Sequence, residues 1–100
     1  MRVIWAPRAI RRAAEIARYI ARDSPAAARE WVERLFVQAA TLGRHPRLGR
    51  RVPEVDRDDI RQVLYGTYRI LYYRIDPKRV IVLTVRHGRR LWAPSEVDPD

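Results

Sequence analysis

Residues 60–87 constrain the fold most, because they hold three β-rich runs separated by two turn signals. The runs are residues 60–65, 68–75 and 80–87. β-Branched and aromatic residues dominate all three, as a pleated and partly buried surface requires. The Gly-Thr pair at 66–67 and the Asp-Pro pair at 76–77 are typical of turns. The sequence therefore predicts a meander, and its middle run, apolar on both faces, is predicted to be interior.

Two amphipathic helices are predicted upstream of this meander, after a short strand at residues 2–5. Pro7 opens the first helix at a position where its missing N–H costs nothing. The predicted buried stripe of that helix is mostly alanine and comprises Ile10, Ala13, Ala14, Ala17, Ile20 and Ala21. Ser24 is expected to cap the second helix, with Pro25 at its first position and Gly43 as a left-handed C-cap residue. The short connection between them predicts an antiparallel helical hairpin.

Periodicity disappears over residues 44–59, where two prolines, a glycine and many charges predict a loop. Its first half is basic and its second half is acidic. Residues 91–100 are predicted to form an irregular acidic tail. Residues 1–100 are therefore predicted to be a single α+β domain in the order β-α-α-β-β-β. Its helical hairpin is expected to pack on one face of a small, mostly antiparallel sheet and to leave the other face open.

The charge of the chain is strongly positive and almost entirely due to arginine. The net charge is +9, and Lys78 is the one lysine among 21 basic residues. Because the last ten residues carry three acids and no base, residues 1–90 hold an excess of twelve positive charges. Arginine suits bidentate contact with phosphate or carboxylate, although a GC-rich genome would also favour it. An acidic partner is expected, and charge alone leaves nucleic acid and an acidic protein segment open.

Several classes of protein are disfavoured by composition. The chain has no cysteine, and its two histidines show no spacing suited to a metal, so no disulfide, metal site or cofactor is expected. The first ten residues lack the apolar region of a signal peptide, and no apolar run is long enough to span a bilayer. The sequence predicts a soluble, cytoplasmic protein without membrane contact.

An ordered set of short segments resembles the ParE/RelE superfamily of bacterial type II toxins, and its ParE branch in particular. The segments are residues 5–9 (WAPRA), 24–28 (SPAAA), 42–50 (LGRHPRLGR), 52–54 (VPE), 60–61 (IR), 68–72 (YRILY) and 85–90 (VRHGRR). Together they extend over about nine-tenths of the chain. The resemblance implies a toxin that a cognate antitoxin neutralises in a hetero-oligomeric complex. It also implies either DNA gyrase as the target, as for ParE, or cleavage of mRNA in the ribosomal A site, as for RelE.

The ribonuclease alternative needs groups that transfer protons and cations that stabilise a phosphorane. In the ribonuclease relatives these are lysines or a glutamate, arginines, and a tyrosine or histidine near the C-terminus. Arg69 matches the arginine of the hairpin strand, and His87 could act as acid or base. Ile60 and Gln62 stand near the positions of the lysine pair, and no tyrosine follows Tyr73. The resemblance therefore favours a gyrase-inhibiting interaction toxin, whereas an mRNA endoribonuclease using Arg69 and His87 stays open as the enzyme alternative.

Two groups of interaction residues follow from this interpretation. Contact with the target is predicted for Arg86, His87, Arg89 and Arg90, because strand and turn would hold these cations at the surface. Contact with the antitoxin is predicted for Arg61, Arg69, Tyr72 and Trp92, and its acidic, partly disordered segment is expected to fold over the open sheet face and the helical hairpin. Sheet arginines could instead merely cover apolar surface with their stems. A nucleic-acid-binding domain without toxicity is the third hypothesis, and it lacks a recognisable motif.

Overall fold

The structure, a computed structural model, describes residues 1–65 and 69–87, with the side chains of residues 1–64 and 71–86. Its elements are β1 (Arg2–Trp5), α1 (Pro7–Ala21), α2 (Pro25–Arg44), β2 (Arg50–Arg51), β3 (Ile60–Tyr65), β4 (Arg69–Asp76) and β5 (Arg79–His87). The predicted α+β fold, a helical hairpin on a mostly antiparallel sheet, is confirmed. The strand β2 is additional, because it lies in a segment predicted to be a loop. The turn at 66–67 and the tail at 91–100 lie outside the described residues.

Both helices begin where the sequence predicts. Pro7 occupies the first turn of α1, and Pro25 occupies the first turn of α2. The Ser24 hydroxyl accepts a hydrogen bond of 3.1 Å from the backbone N–H of Ala27, which satisfies one of the free donors at the helix start. These starts are predictable because their signals are local.

The predicted C-cap at Gly43 is wrong. The helix α2 continues to Arg44, and His45 is its C-cap residue. Gly43 is instead required for close packing, since a Cβ there would lie 2.6 Å from the carbonyl oxygen of Met1 and 2.9 Å from Val3 Cγ2. The carbonyl oxygen of Gly43 also accepts a hydrogen bond of 2.7 Å from the Met1 nitrogen. The glycine lets the end of α2 approach the start of β1.

The buried stripe of α1 is rotated from the predicted one. Ala9 is fully buried, and Ala13 and Ile16 pack against the core. Ile10, predicted to face the core, is 56% exposed. The small side chain of Ala9 allows a closer approach to β5 than isoleucine would, so the helix presents alanine to the sheet.

The five strands form one sheet in the order β1-β5-β4-β3-β2. The pairing of β1 with β5 is parallel, and the other three pairings are antiparallel. A shift of register between Tyr72 and Tyr73 leaves Leu83 of β5 without a partner on β4, which is a β-bulge. The meander of the sequence is thus extended by one short strand at each edge.

The face of the sheet under the helices contains the core. Register and alternation place Trp5, Leu71 and Tyr73 on this face, together with Val3, Val63, Val80, Val82 and Val85. The helices contribute the buried residues Ala9, Leu35, Ala39 and Leu42. The ring of Trp5 meets that of Phe36 with a centroid distance of 5.0 Å, so the edge strand β1 is anchored to α2.

The second face of the sheet is less open than the sequence predicts. Tyr72, Ile81 and Thr84 lie on this face, and each is at most 3% exposed. Arg74 lies beside Ile81 in register and is half-buried, as expected for a long side chain that covers apolar neighbours with its stem. The prediction of an open face is therefore wrong at the centre of the sheet.

Candidate interaction surfaces

Arg61 lies on the helix-covered face and binds the loop that precedes its strand. Its guanidinium donates to the carbonyl oxygens of Asp58 and Gly49 at 3.0 and 3.1 Å, and to Asp58 Oδ1 at 2.8 Å. The Arg61 side chain is only 13% exposed. In this structure its donors are directed at the protein's own loop, so Arg61 contributes to the fold.

Tyr73, the register partner of Arg61 on β4, forms hydrogen bonds with the same loop. Its hydroxyl accepts from the backbone N–H of Gly49 at 2.9 Å and donates to the carbonyl oxygen of Pro46 at 2.8 Å. Burial raises the pKa of the Tyr73 phenol above its ordinary value, against the opposing effects of the Gly49 N–H and the charge of Arg61. The phenol therefore keeps its proton at neutral pH and stays a donor.

Ion pairs within residues 45–59 neutralise much of the loop's charge. Arg47 Nη1 donates to Asp58 Oδ2 at 2.8 Å, Arg51 Nη2 to Asp56 Oδ1 at 3.0 Å, and Arg57 binds both carboxylate oxygens of Asp59. The hydrogen bond from Arg47 lowers the pKa of the Asp58 carboxyl, and the charges of Arg47 and Arg61 act in the same direction. The acidic half of the loop thus folds back onto its basic half.

The residues predicted to bind an antitoxin do not all lie on one surface. Arg61 is on the helix-covered face, whereas Tyr72 is buried on the second face. Tyr72 belongs to a polar row that crosses the sheet, with Gln62 and Thr84 as its register partners. When the Gln62 amide is oriented with its oxygen towards Arg50, that oxygen accepts from Arg50 Nε and Nη2 at 2.8 and 2.7 Å. The side chain of Arg69 and the whole of Trp92 lie outside the described part of the chain.

The predicted target-binding residues are grouped at one end of the sheet, as far as they are described. Arg86 pairs in register with Ile70, and His87 pairs with Arg69. The same backbone pairing brings together the two candidate residues of the ribonuclease alternative, Arg69 and His87. Their side chains, and Arg89 and Arg90 entirely, lie outside the described residues.

The helical hairpin was expected to contact the antitoxin, but the groove between its two helices and the residues that line it were not predicted. We call it the hairpin groove; it has a volume of about 390 Å³ and is lined by Ala17, Arg18, Ala21, Ala28, Arg29, Val32 and Glu33. Small apolar residues form its floor, and Arg18 and Arg29 are exposed beside it. Within the described chain neither arginine forms an ion pair. Alanines beside arginines were visible in the sequence, but the crossing of the helices, which brings the two arginines to one groove, was not.

A second concavity lies on the other side of α2, where the helix passes the end of β3. This cleft, named here the α2–β3 cleft, has a volume of about 840 Å³. It is lined by Ile20, Ala27, Glu30, Trp31, Glu33, Arg34, Val37, Gln38 and Leu64. Val37 and Leu64 are 68% and 71% exposed, which is unusual for two large apolar residues that line one cleft. Glu30 forms an ion pair with Arg34, so Glu33 is the carboxylate at the cleft without such a partner in the described structure.

Other kinds of site find no support among residues 1–65 and 69–87. These residues contain no group of three histidine, aspartate or glutamate side chains that could hold a metal ion. The helices of this part of the chain are too short or too polar to cross a membrane. The surfaces that remain are grooves and charged edges, which suit contact with another macromolecule.

Comparisons with known proteins agree with this architecture. The family model described as "ParE toxin of type II toxin-antitoxin system, parDE" matches residues 3–92. A relative from Sinorhizobium fredii (strain NBRC 101917 / NGR234), named "Putative toxin Y4kP", is 36% identical over 91 residues, which are 91% of this chain and 92% of the relative. A chain of the solved structure "Chromosomal ParDE TA system from P. aeruginosa" superposes with a TM-score of 0.72 at 20% identity, over 87% of this chain and 95% of that chain. The family match and the relative confirm the resemblance seen in the sequence, and this chain belongs to the ParE toxin family of type II toxin–antitoxin systems.

Proposed function

We propose that this ParE-type toxin is neutralised by a cognate acidic antitoxin, which binds the hairpin groove, and that it inhibits DNA gyrase by protein contact. The hairpin groove is the observation that carries the first half of the proposal. Its alanine and valine floor admits an apolar helix or strand at close range, while Arg18 and Arg29 offer charges to acidic side chains beside it. The similarity to a chain of a ParDE system supports a partner of this kind.

The groove fits an antitoxin better than the sheet residues do. Arg61 is committed to the loop, and Tyr72 is buried. Among the described residues Arg18 and Arg29 have no carboxylate partner, so an incoming acidic segment does not have to displace one of these residues from them. A disordered segment that folds on binding would lose conformational entropy, and burial of the apolar floor would offset that cost.

Two buried residues support inhibition by contact over ribonuclease chemistry. Ile60 and Gln62 stand near the positions where the ribonuclease relatives have lysines. Ile60 is fully buried and has no titratable group, and Gln62 is buried beside Arg50. Neither can take a proton from a ribose hydroxyl, so the general base of that reaction has no residue at these positions.

The antitoxin half of the proposal is tested by charge reversal at the groove. Arg18→Glu/Arg29→Glu should weaken binding of the antitoxin encoded beside the toxin gene by roughly thirty- to several-thousand-fold in calorimetry, because charge contacts at a desolvated interface are lost. Arg2→Glu/Arg44→Glu changes the net charge equally at exposed positions outside the groove and should change the affinity by less than about threefold. Equal losses for both variants would mean a general attraction of charges and would reject the groove.

The target half is tested by expressing the toxin without its antitoxin. Gyrase–DNA complexes should accumulate while mRNA stays intact, and purified toxin should inhibit supercoiling. Arg89→Ala/Arg90→Ala should abolish this inhibition without lowering the thermal midpoint, if the predicted target-binding residues Arg86, His87, Arg89 and Arg90 act as proposed.

The register pairing of Arg69 with His87 keeps the ribonuclease alternative testable, because it brings a cation and a proton carrier to neighbouring strands. Codon-phased cleavage in primer extension that disappears in His87→Ala would establish that alternative and would reject inhibition by contact.

A further inference from the structure

We infer that the α2–β3 cleft is a second docking surface, separate from the hairpin groove, and that it binds an apolar segment of the target protein carrying a basic residue. This inference rests on the proposed function, since it assigns the antitoxin to the hairpin groove and the target protein to the cleft. The helix α2 lies between them: Ala28, Arg29 and Val32 line the hairpin groove, Trp31 and Val37 line the cleft, and Glu33 lies at the rim of both.

The cleft has the shape and the lining of a site for an apolar side chain or a short segment. Its volume of about 840 Å³ lies within the range of ligand-sized pockets. Val37 on α2 and Leu64 on β3 line the same cavity and remain largely exposed, although the partly buried Trp31 lies beside them. A single exposed leucine is ordinary on a protein surface, but several apolar residues around one concavity indicate a partner.

The two surfaces differ in their unpaired cations: Arg18 and Arg29 outnumber Glu33 at the hairpin groove, whereas the cleft shares Glu33 but has no unpaired arginine among its described residues. Glu30 and Arg34 neutralise each other, which leaves Glu33 as the free charge among the described residues of the cleft. On a chain with a net charge of +9, this is an unfavourable place for an acidic antitoxin segment. A lysine or arginine next to an apolar anchor would instead pair with Glu33, so the occupant is expected to be apolar with a basic neighbour.

The position of Leu64 connects the cleft with the predicted target-binding residues. Leu64 pairs in register with Ile70, and Ile70 pairs with Arg86. Leu64 alternates with Val63 along β3, so this row belongs to the second face of the sheet, and it runs from the edge of the cleft across β4 to Arg86 near the end of β5. A target protein seated on this end of the sheet would reach both the cleft and the predicted cationic residues.

The experiment compares Val37→Ser/Leu64→Ser with wild type in three assays: growth arrest in cells, inhibition of purified gyrase, and affinity for the purified antitoxin. Both residues are exposed, so the thermal midpoint should be unchanged. We expect growth arrest and gyrase inhibition to fall at least tenfold, with antitoxin affinity within about threefold of wild type. Arg18→Glu/Arg29→Glu should instead lose antitoxin affinity while growth arrest and gyrase inhibition stay near wild type. Ile10→Ser/Tyr19→Ser, which removes exposed apolar surface from α1 and leaves the cleft intact, should match wild type in all three.

Glu33 variants, expressed without the antitoxin because Glu33 also lines the hairpin groove, test the charge at the cleft. Glu33→Lys should reduce growth arrest, whereas Glu33→Gln should reduce it less, because only lysine would repel a basic residue of the target. Unchanged growth arrest in Val37→Ser/Leu64→Ser, or an equal loss of antitoxin affinity, would overturn the inference. If wild-type toxin arrests growth but leaves gyrase active, gyrase is rejected as the target, and the growth-arrest comparison still decides whether the cleft is a docking surface.

Discussion

The loop at residues 45–59 and the hairpin groove are both rich in arginine, but they use it in opposite ways. In the loop, Arg47, Arg51 and Arg57 each meet an aspartate of the same segment at 2.7 to 3.0 Å. Beside the groove, Arg18 and Arg29 meet no carboxylate within the described structure. The loop therefore pairs most of its arginines internally, whereas the arginines beside the groove stay exposed and available to the proposed antitoxin.

This difference shows why arginine density alone is a poor guide to a binding surface. The sequence places its densest cationic segment before the sheet, at Arg44 to Arg51. A surface arginine that already has a carboxylate must exchange that partner on binding, so it contributes less to affinity than one that is free. Surfaces of this protein are better ranked by unpaired charge next to apolar area.

The strongest test of the rigid loop is Gly49→Ala. A Cβ at this position would lie 2.5 Å from the Gln62 carbonyl oxygen and 2.7 Å from the Tyr73 hydroxyl, so the backbone must move. We expect a loss of about 3 kcal/mol in the free energy of unfolding, measured with denaturant. The neighbouring Leu48→Ala, at an exposed position, should cost less than about 0.5 kcal/mol. Equal effects would show that the loop is not held at Gly49.

Tyr73→Phe tests the hydrogen bonds of the loop without altering the packing of the ring. The variant leaves the buried N–H of Gly49 without its acceptor and removes the donor to Pro46. The expected loss is about 2 kcal/mol, because an unsatisfied buried donor keeps its full desolvation cost. Tyr19→Phe, at an exposed position on α1, is the matched control and should be neutral. A neutral Tyr73→Phe would mean that water or another acceptor replaces the hydroxyl.

Much of this architecture could be predicted from the sequence, because the signals concerned are local. Pro7, Ser24 and Pro25 mark helix starts through their own backbone chemistry, and the β-rich runs mark three strands. Gly43 shows the limit, since the same residue suits a C-cap or a close approach, and Met1 and Val3, which decide between them, are some forty residues away in sequence.

The candidate surfaces were harder to predict than the fold. The strand β2 consists of two residues, and no local pattern identifies it; contacts of Tyr73 and Arg61 with the preceding loop hold the chain there. Arg47 and Asp58 are eleven residues apart in sequence, so their ion pair could not be predicted without knowing how the loop folds. The α2–β3 cleft joins Val37 to Leu64, which are brought together only when α2 is seated on the sheet.

Replacing single arginines compares the two regions directly. Arg61→Ala should lower the free energy of unfolding by about 1.5 kcal/mol, because three charge-assisted hydrogen bonds to the loop are lost from a mostly buried side chain. Arg18→Ala and Arg29→Ala should each change it by less than about 0.5 kcal/mol. Antitoxin affinity, measured by calorimetry, should fall more in Arg18→Ala and Arg29→Ala than in Arg61→Ala. A destabilised Arg18→Ala or Arg29→Ala would place these residues in the fold and weaken the proposed interface.

The smallest expected effect is the pH dependence that Asp58 gives to the loop. Its pKa in the folded protein is lowered, chiefly by the hydrogen bond from Arg47. A carboxyl with a lowered pKa stabilises the fold at every pH above its unfolded value, near 3.9, and this contribution is lost as the pH falls through the lower folded value. The difference in stability between wild type and Asp58→Asn should therefore be constant from pH 7 to about pH 5 and should shrink below about pH 4.

Arg47→Ala should move that decline towards pH 3.9, since it removes the main cause of the lowered pKa of Asp58. Because the carboxylate is exposed, the change should be small and should weaken further in high salt. A difference that already shrinks between pH 7 and pH 5, or that persists unchanged at pH 2.5, would show that Asp58 does not hold the loop through its charge.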